Sequence, residues 1–145
     1  CALIFKLNLK REQEIIHYAV MQSKGERMPD GSEVMLIDSR TPDWTAKGMI
    51  PGAVNLPWTL LSEAKGADPI SIAEIMTEQF GAKEQNGLFY FDDAKTLVMY
   101  CNGMWCGQSP NNIKSLLKYG YPADKIKWFR GGMQTWEILG FNTVK

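Results

Sequence analysis

The chain opens on an alternating stretch. Over residues 4–10, Phe5, Leu7 and Leu9 are apolar while Lys6, Asn8 and Lys10 are polar. After a charged segment at 11–13, Ile16, Tyr18 and Val20 alternate again. Period-two patterning reads as two strands joined by a turn, so a β-hairpin is expected here. The rival reading is a helix over residues 11–23, because Ile15, Ile16, Ala19 and Val20 also fit a helical period. Residues 24–32 carry Gly, Pro and Asp-Gly, which is turn chemistry.

From there the pattern changes. Residues 34–37 form a short apolar run ending at Asp38, as a buried parallel strand would. Thr41 and Pro42 suit the cap and first position of a short helix. A turn from Gly48 to Gly52 precedes a second short strand at 53–56. Ser71 and Glu74 make a capping-box pattern for a helix through Ile72, Ile75, Met76 and Phe80, closed by Gly81. Residues 81–95 read as loop, with a short extended piece at 88–91. Thr96–Tyr100 is a strong buried strand. A loop follows from Cys101 to Gln108, then a helix capped by Ser109 with Pro110 in its first turn. Ile113, Leu116 and Leu117 give that helix its apolar face and Gly120 ends it. Ile126–Phe129 is a further strand, and Gly131-Gly132 leads into a last helix with Trp136 and Leu139.

Strands alternating with helices predict an α/β fold: a doubly wound central parallel sheet flanked by helices, here with an N-terminal β-hairpin extension. The division expected is residues 1–32 for the extension and 33–145 for the α/β domain. Ligands in such sheets bind beyond the carboxyl ends of the strands, and Cys101 stands at one such end.

Composition narrows the function. The 145 residues are 45% hydrophobic and 22% charged, with a formal net charge of zero. A neutral chain is not built for nucleic acid or an anionic membrane surface. No apolar run approaches the roughly 18 residues of a spanning helix. The three cysteines, Cys1, Cys101 and Cys106, are too few for a disulfide scaffold. Starting at Cys1 is consistent with a truncated chain, a removed leader or a lipid-bearing cysteine. Truncation is the expectation, since no flexible tether follows Cys1. The compartment and the oligomeric state are not legible.

The informative stretch is Tyr100-Cys101-Asn102-Gly103-Met104-Trp105-Cys106-Gly107-Gln108-Ser109-Pro110. It reads as strand, tight loop, helix. The unsatisfied amides and the dipole at a helix start favour negative charge. A cysteine held there is expected to have a lowered pKa and to stabilise a persulfide in the same way. That geometry suits a nucleophile that takes up sulfur and hands it on.

Here the chain resembles the rhodanese family of sulfurtransferases, in its single-domain form, over residues from about 34 to 141. Leu36-Ile37-Asp38-Ser39-Arg40 is similar to the family's strand ending in Asp-x-Arg. Gly48-Met49-Ile50-Pro51-Gly52-Ala53-Val54-Asn55 looks like its Gly-His-Ile-Pro-Gly-Ala pattern, with Met49 in place of the His. The cysteine loop follows a buried strand, and Gly131-Gly132-Met133-Gln134-Thr135-Trp136 is similar to the closing Gly-Gly-x-x-x-Trp. The resemblance implies that Cys101 carries the persulfide. It also implies that the amides of Asn102, Gly103, Met104, Trp105, Cys106 and Gly107 cradle it. The implied partners are a small sulfur donor and a thiol or protein acceptor. Residues 101–109 carry no charge, whereas family loops often hold Arg or Lys, which makes thiosulfate an uncertain donor. Phosphatases of this fold use Cys-x5-Arg; position 107 is Gly, which disfavours that chemistry.

Two roles stay open for Cys106: a second thiol that attacks a persulfide or sulfenic acid on Cys101, or a small apolar side chain packed under the loop. Asp38, Arg40, Trp58 and Arg130 are candidates for the pocket, with structural or surface roles as alternatives. Met104 and Trp105 are expected to make the pocket wall apolar, and Trp44, Trp128 and Trp136 to pack in or near the core. His17 lies far upstream, so no Cys–His dyad is expected. Metal-ligand spacing, a phosphate loop and a dinucleotide fingerprint are absent, and no cofactor is expected. The functional expectation is a sulfurtransferase. The alternatives are a thiol-redox or sensing protein using Cys101 and Cys106, and a non-catalytic binding module.

Overall fold

The computed structural model describes all residues except Cys1, Pro29, Asp30 and Ser32, and for residues 2–12 the backbone alone. Its first element corrects the hairpin expected at the N-terminus: α1 is one helix, Ala2–Ser23, of 22 residues. The physical reason lies between the two alternating runs. Residues 11–13 are Arg, Glu and Gln, with no residue suited to the positive φ of a tight hairpin turn. From residue 2 to residue 23 there is neither Gly nor Pro to interrupt a helix. Tertiary packing then selects the helical period. Ala19 is fully buried, with Ile15, Ile16, Val20 and Met21 around it against the sheet.

The remaining elements are β1 (Val34–Asp38), α2 (Pro42–Thr45), β2 (Val54–Asn55), α3 (Pro69–Glu74), β3 (Lys83–Gln85), β4 (Leu88–Tyr90), β5 (Thr96–Tyr100), α4 (Gln108–Lys118), β6 (Ile126–Phe129) and α5 (Gly132–Ile138). Short 3-10 turns stand at Trp58–Leu61, Glu63–Lys65 and Ala123–Lys125, and a π-helical turn, Ile75–Gln79, prolongs α3. The main sheet is parallel, in the order β2-β1-β5-β6. The expected doubly wound sheet is therefore present.

Period-two alternation divides the core. Leu36, Val98, Tyr100 and Phe129 face α1 and α5 with Met133 and Trp136. Ile37, Leu97 and Met99 face the other way, toward Ile72, Met76 and Phe80 of α3 and its extension and Leu116 of α4. Such two-sided burial is why these strands read as nearly continuous apolar runs.

Three boundaries differ from expectation. Asp68, not Ser71, caps α3: its carboxylate accepts from the Ser71 amide at 2.9 Å, and Pro69 fills the first turn. Gly107, not Ser109, stands at the cap of α4. Residues 83–90, expected to be mostly loop, form an antiparallel hairpin across Asn86-Gly87, both at positive φ.

Candidate active site

The site is built where β1 and β5 end side by side. Their parallel register sets Asp38 opposite Tyr100, so Ser39 and Arg40 emerge next to Cys101 and Asn102. The Ser39 amide donates to the Tyr100 carbonyl at 3.0 Å. Arg40 and Asp38 are 3% and 0% exposed and form an ion pair at 2.7 Å. Arg40 Nη2 also donates to the Gly48 carbonyl, and its Nη1 to Asn102 Oδ1 at 3.3 Å. Burial alone discourages the Arg40 charge. The hydrogen bonds and the carboxylate of Asp38 outweigh it and hold the guanidinium above its ordinary pKa. The Tyr100 hydroxyl accepts from the Ile50 amide at 3.1 Å, fixing the turn that carries Ile50-Pro51-Gly52. Gly52 sits at φ +80, and a Cβ there would meet the Gln22 carbonyl at 2.7 Å. The end of α1 thus packs directly on this turn.

The cysteine loop is held from below by α5. The amides of Met133 and Gln134 donate to the carbonyls of Cys101 and Asn102, each at 3.0 Å. This close approach requires Gly132, at φ +53, where a Cβ would stand 2.2 Å from the Cys101 carbonyl oxygen. Above, the Cys106 amide donates to the Gly103 carbonyl at 3.1 Å, closing a turn over residues 103–106. That turn brings the Cys106 carbonyl to 3.5 Å from Cys101 Sγ, which donates to it. The Trp105 ring lies against Gly103, leaving no room for a Cβ. Trp105 and Met104 are themselves mostly exposed.

Cys101 is 1% exposed. Burial, followed by hydrogen bonding to Cys106, pushes its thiol up to about 11. The amide and hydroxyl of Ser109, in the first turn of α4, hydrogen-bond to the sulfur and pull the other way. The lowered pKa expected for this cysteine is therefore not what the closed loop produces. Desolvation outweighs the helix start. Of the amides expected to cradle the sulfur, that of Cys106 is engaged by the Gly103 carbonyl, and Ser109, outside residues 102–107, acts on the sulfur as well. Cys106 is half-buried and, like Cys101, a free thiol.

A profile of the rhodanese-like domain family matches residues 21–139. The chain belongs to the rhodanese-like domain family. It is similar to a protein named sulfurtransferase from Allochromatium vinosum, 29% identical over 123 residues, which cover 85% of this chain and 90% of that one. Among solved structures it resembles a Rhodopseudomonas palustris protein of unknown function titled a possible tyrosine phosphatase. The TM-score is 0.59 at 20% identity, covering 90% of this chain and 81% of that one. It also resembles the BH2092 protein of Bacillus halodurans, with a TM-score of 0.57 at 17% identity, covering 90% and 73%.

Within this rhodanese-like domain the remaining candidates separate. A cleft of about 370 Å³ borders the loop, lined by Arg40, Trp44, Lys47, Gly48, Asn102, Trp105, Met133, Gln134 and Glu137. Arg40 reaches it, whereas Asp38 stays buried behind Arg40 as its partner. Trp44, expected to pack in or near the core, is 40% exposed on the cleft wall, with the Lys47 ammonium 4.5 Å from its ring centre. Trp58 is half-buried in the turn after β2; its amide donates to the Ser39 carbonyl, and Lys65 lies over its ring. Arg130 stacks over Trp128 at 5.5 Å. Sequence reasoning gives Ser39 no role of its own and Ser109 only that of a cap. Their hydroxyls are fully buried and joined at 3.0 Å. Short polar residues flanking strand ends were the available signal. Among the described residues no cluster of His, Cys, Asp and Glu could hold a metal ion, and no helix is long and apolar enough to cross a membrane.

Proposed function

We propose that this domain is a sulfurtransferase in which Cys101 accepts a sulfane sulfur as a persulfide and passes it to a thiol or other acceptor. The observation that carries the reading is the setting of Cys101: directly after β5, its sulfur against the Ser109 amide and hydroxyl at the start of α4. The Ser109 amide favours an anionic sulfur, and so does its hydroxyl once it turns from Ser39 Oγ toward the sulfur. Family membership and the similar sulfurtransferase of Allochromatium vinosum support the same direction.

In the first step the Cys101 thiolate attacks the outer sulfur of a donor such as a polysulfide or persulfide. The donor's sulfur–sulfur bond breaks and the remainder leaves as a thiolate. In the second step an acceptor thiolate attacks the outer sulfur on Cys101, which returns as thiolate. Neither step requires an external oxidant or reductant. Because burial keeps the thiol protonated, the reactive form is a minor population at neutral pH, and the loop must admit the donor.

The test is intact-protein mass spectrometry after exposure to inorganic polysulfide. A gain of about 32 Da, one sulfur atom, is expected in the parent and is lost in Cys101→Ser, while circular dichroism is unchanged. Thiols inert to donor would instead favour a binding module, and sulfur gain in Cys101→Ser would remove the nucleophile from this position.

A further inference from the structure

We infer that Cys106 is a resolving thiol that attacks the Cys101 persulfide within the same loop, closing a Cys101–Cys106 disulfide and releasing hydrosulfide. This rests on the persulfide reading above and extends it to the fate of the bound sulfur.

Four features of the loop point there. The turn closed by the Cys106 amide and the Gly103 carbonyl folds the chain back on itself, so that the Cys106 carbonyl oxygen returns to 3.5 Å from the Cys101 sulfur. Cys101 Sγ donates to the Cys106 carbonyl, and Cys106 is among the groups that keep Cys101 protonated. Their exposures also differ: Cys101 is sealed in, whereas Cys106 is partly open to solvent. Residues 101–109 contain no charged side chain to hold an anionic persulfide. A persulfide formed there relies on Ser109 rather than on a charge within the loop, and the residue that folds back against it carries a second thiol. Positioning of this kind makes the internal reaction much faster than attack by a dilute external thiol.

The chemistry balances without an added oxidant. The persulfide is Cys101–Sγ–SH. The Cys106 thiolate attacks Sγ, the bond from Sγ to the outer sulfur breaks, and the outer sulfur leaves with the electron pair as hydrosulfide. The product is a Cys101–Cys106 disulfide. The oxidising equivalent came in with the sulfane sulfur. A dithiol reductant, whether a small molecule or a protein, returns both thiols and is itself oxidised to a disulfide. The site would then convert sulfane sulfur to free hydrosulfide at the expense of dithiol, as well as handing sulfur to an acceptor.

The experiment treats parent, Cys106→Ser and Cys106→Ala with inorganic polysulfide, removes excess donor by desalting, and follows intact mass and released hydrosulfide with no added thiol. In the parent, the species heavier by about 32 Da gives way to one lighter than the reduced protein by about 2 Da. One equivalent of hydrosulfide appears in step, and dithiothreitol restores the reduced mass. In both variants the heavier species lasts at least about tenfold longer and no lighter species forms. Equal persulfide lifetimes in all three proteins overturn the resolving role and leave the persulfide reading standing. Peptide mapping that finds the extra sulfur on Cys106 also overturns it, since attack has then fallen on the outer sulfur. Absence of the heavier species from all three proteins, with no disulfide or hydrosulfide formed, overturns both readings together.

Discussion

A free cysteine ionises near pH 8.5, whereas Cys101, 1% exposed under its own loop, is pushed up to about 11. Two measurable consequences belong to this residue. Alkylation of Cys101 by iodoacetamide is expected to rise about tenfold per pH unit from pH 7 to pH 10, because only the thiolate reacts. A plateau beginning near pH 8.5 would contradict a buried, closed thiol. The second concerns stability. A raised folded-state pKa means that the fold favours the neutral thiol. Its contribution is complete below the ordinary cysteine range and is lost as pH climbs toward about 11. Buried Tyr100 and Tyr121 are shifted upward as well and add loss of the same sign at higher pH. The readout is therefore a difference. Cys101→Ser should lose less stability than the parent between pH 8 and pH 11, by on the order of 2 kcal/mol, in urea denaturation.

At the scale of elements, the start of α5 governs the loop. Gly132→Ala puts a methyl group 2.2 Å from the Cys101 carbonyl oxygen, at a left-handed φ. The expected cost is about 2 kcal/mol or more, with loss of polysulfide reactivity, as the Met133 and Gln134 amides are pushed off the loop. Gly140→Ala is the control: it too is left-handed, at φ +78, but meets nothing within 4 Å, so it should cost about 1 kcal/mol and leave reactivity intact. The strands around this site were legible because burial on both faces leaves unmistakable apolar runs before Asp38 and Cys101. The N-terminal helix was legible only as the rival reading over residues 11–23, because Phe5, Leu7 and Leu9 fit a strand until the missing turn residues at 11–13 are weighed. The Asn86-Gly87 hairpin carried its signal in that dipeptide, yet its strands are short and mostly exposed, so periodicity was weak. The site residues Cys101, Arg40 and Asn102 were readable as types in a pattern. Which backbone groups turn toward the sulfur was not, because peptide orientation leaves no mark in side-chain chemistry. Hence Ser109 was seen only as a cap.

For the molecule as a whole, the buried Asp38–Arg40 pair ties the strand ends to the loops around them. Asn55 adds two bonds, donating to the carbonyls of Asp38 and Arg40 at 3.0 and 2.8 Å. Asp38→Ala leaves a buried guanidinium without its counter-charge and is expected to cost about 3–5 kcal/mol. Arg40→Lys keeps the charge but loses the planar fork, and should fall between that variant and the parent in a urea titration. A parent-like midpoint for Asp38→Ala would show that the pair is dispensable.

The hydrogen bonds that finish the site join residues far apart along the chain: Arg40 to Asn102 across 62 positions and Ser39 to Ser109 across 70. Closing loops of that length carries a large entropic cost before any contact repays it, and such pairings slow the search for the native state. A nascent or half-folded chain therefore offers its thiols to solvent without the surroundings that discipline them. In this architecture, the setting that the proposed chemistry needs is finished only when folding is.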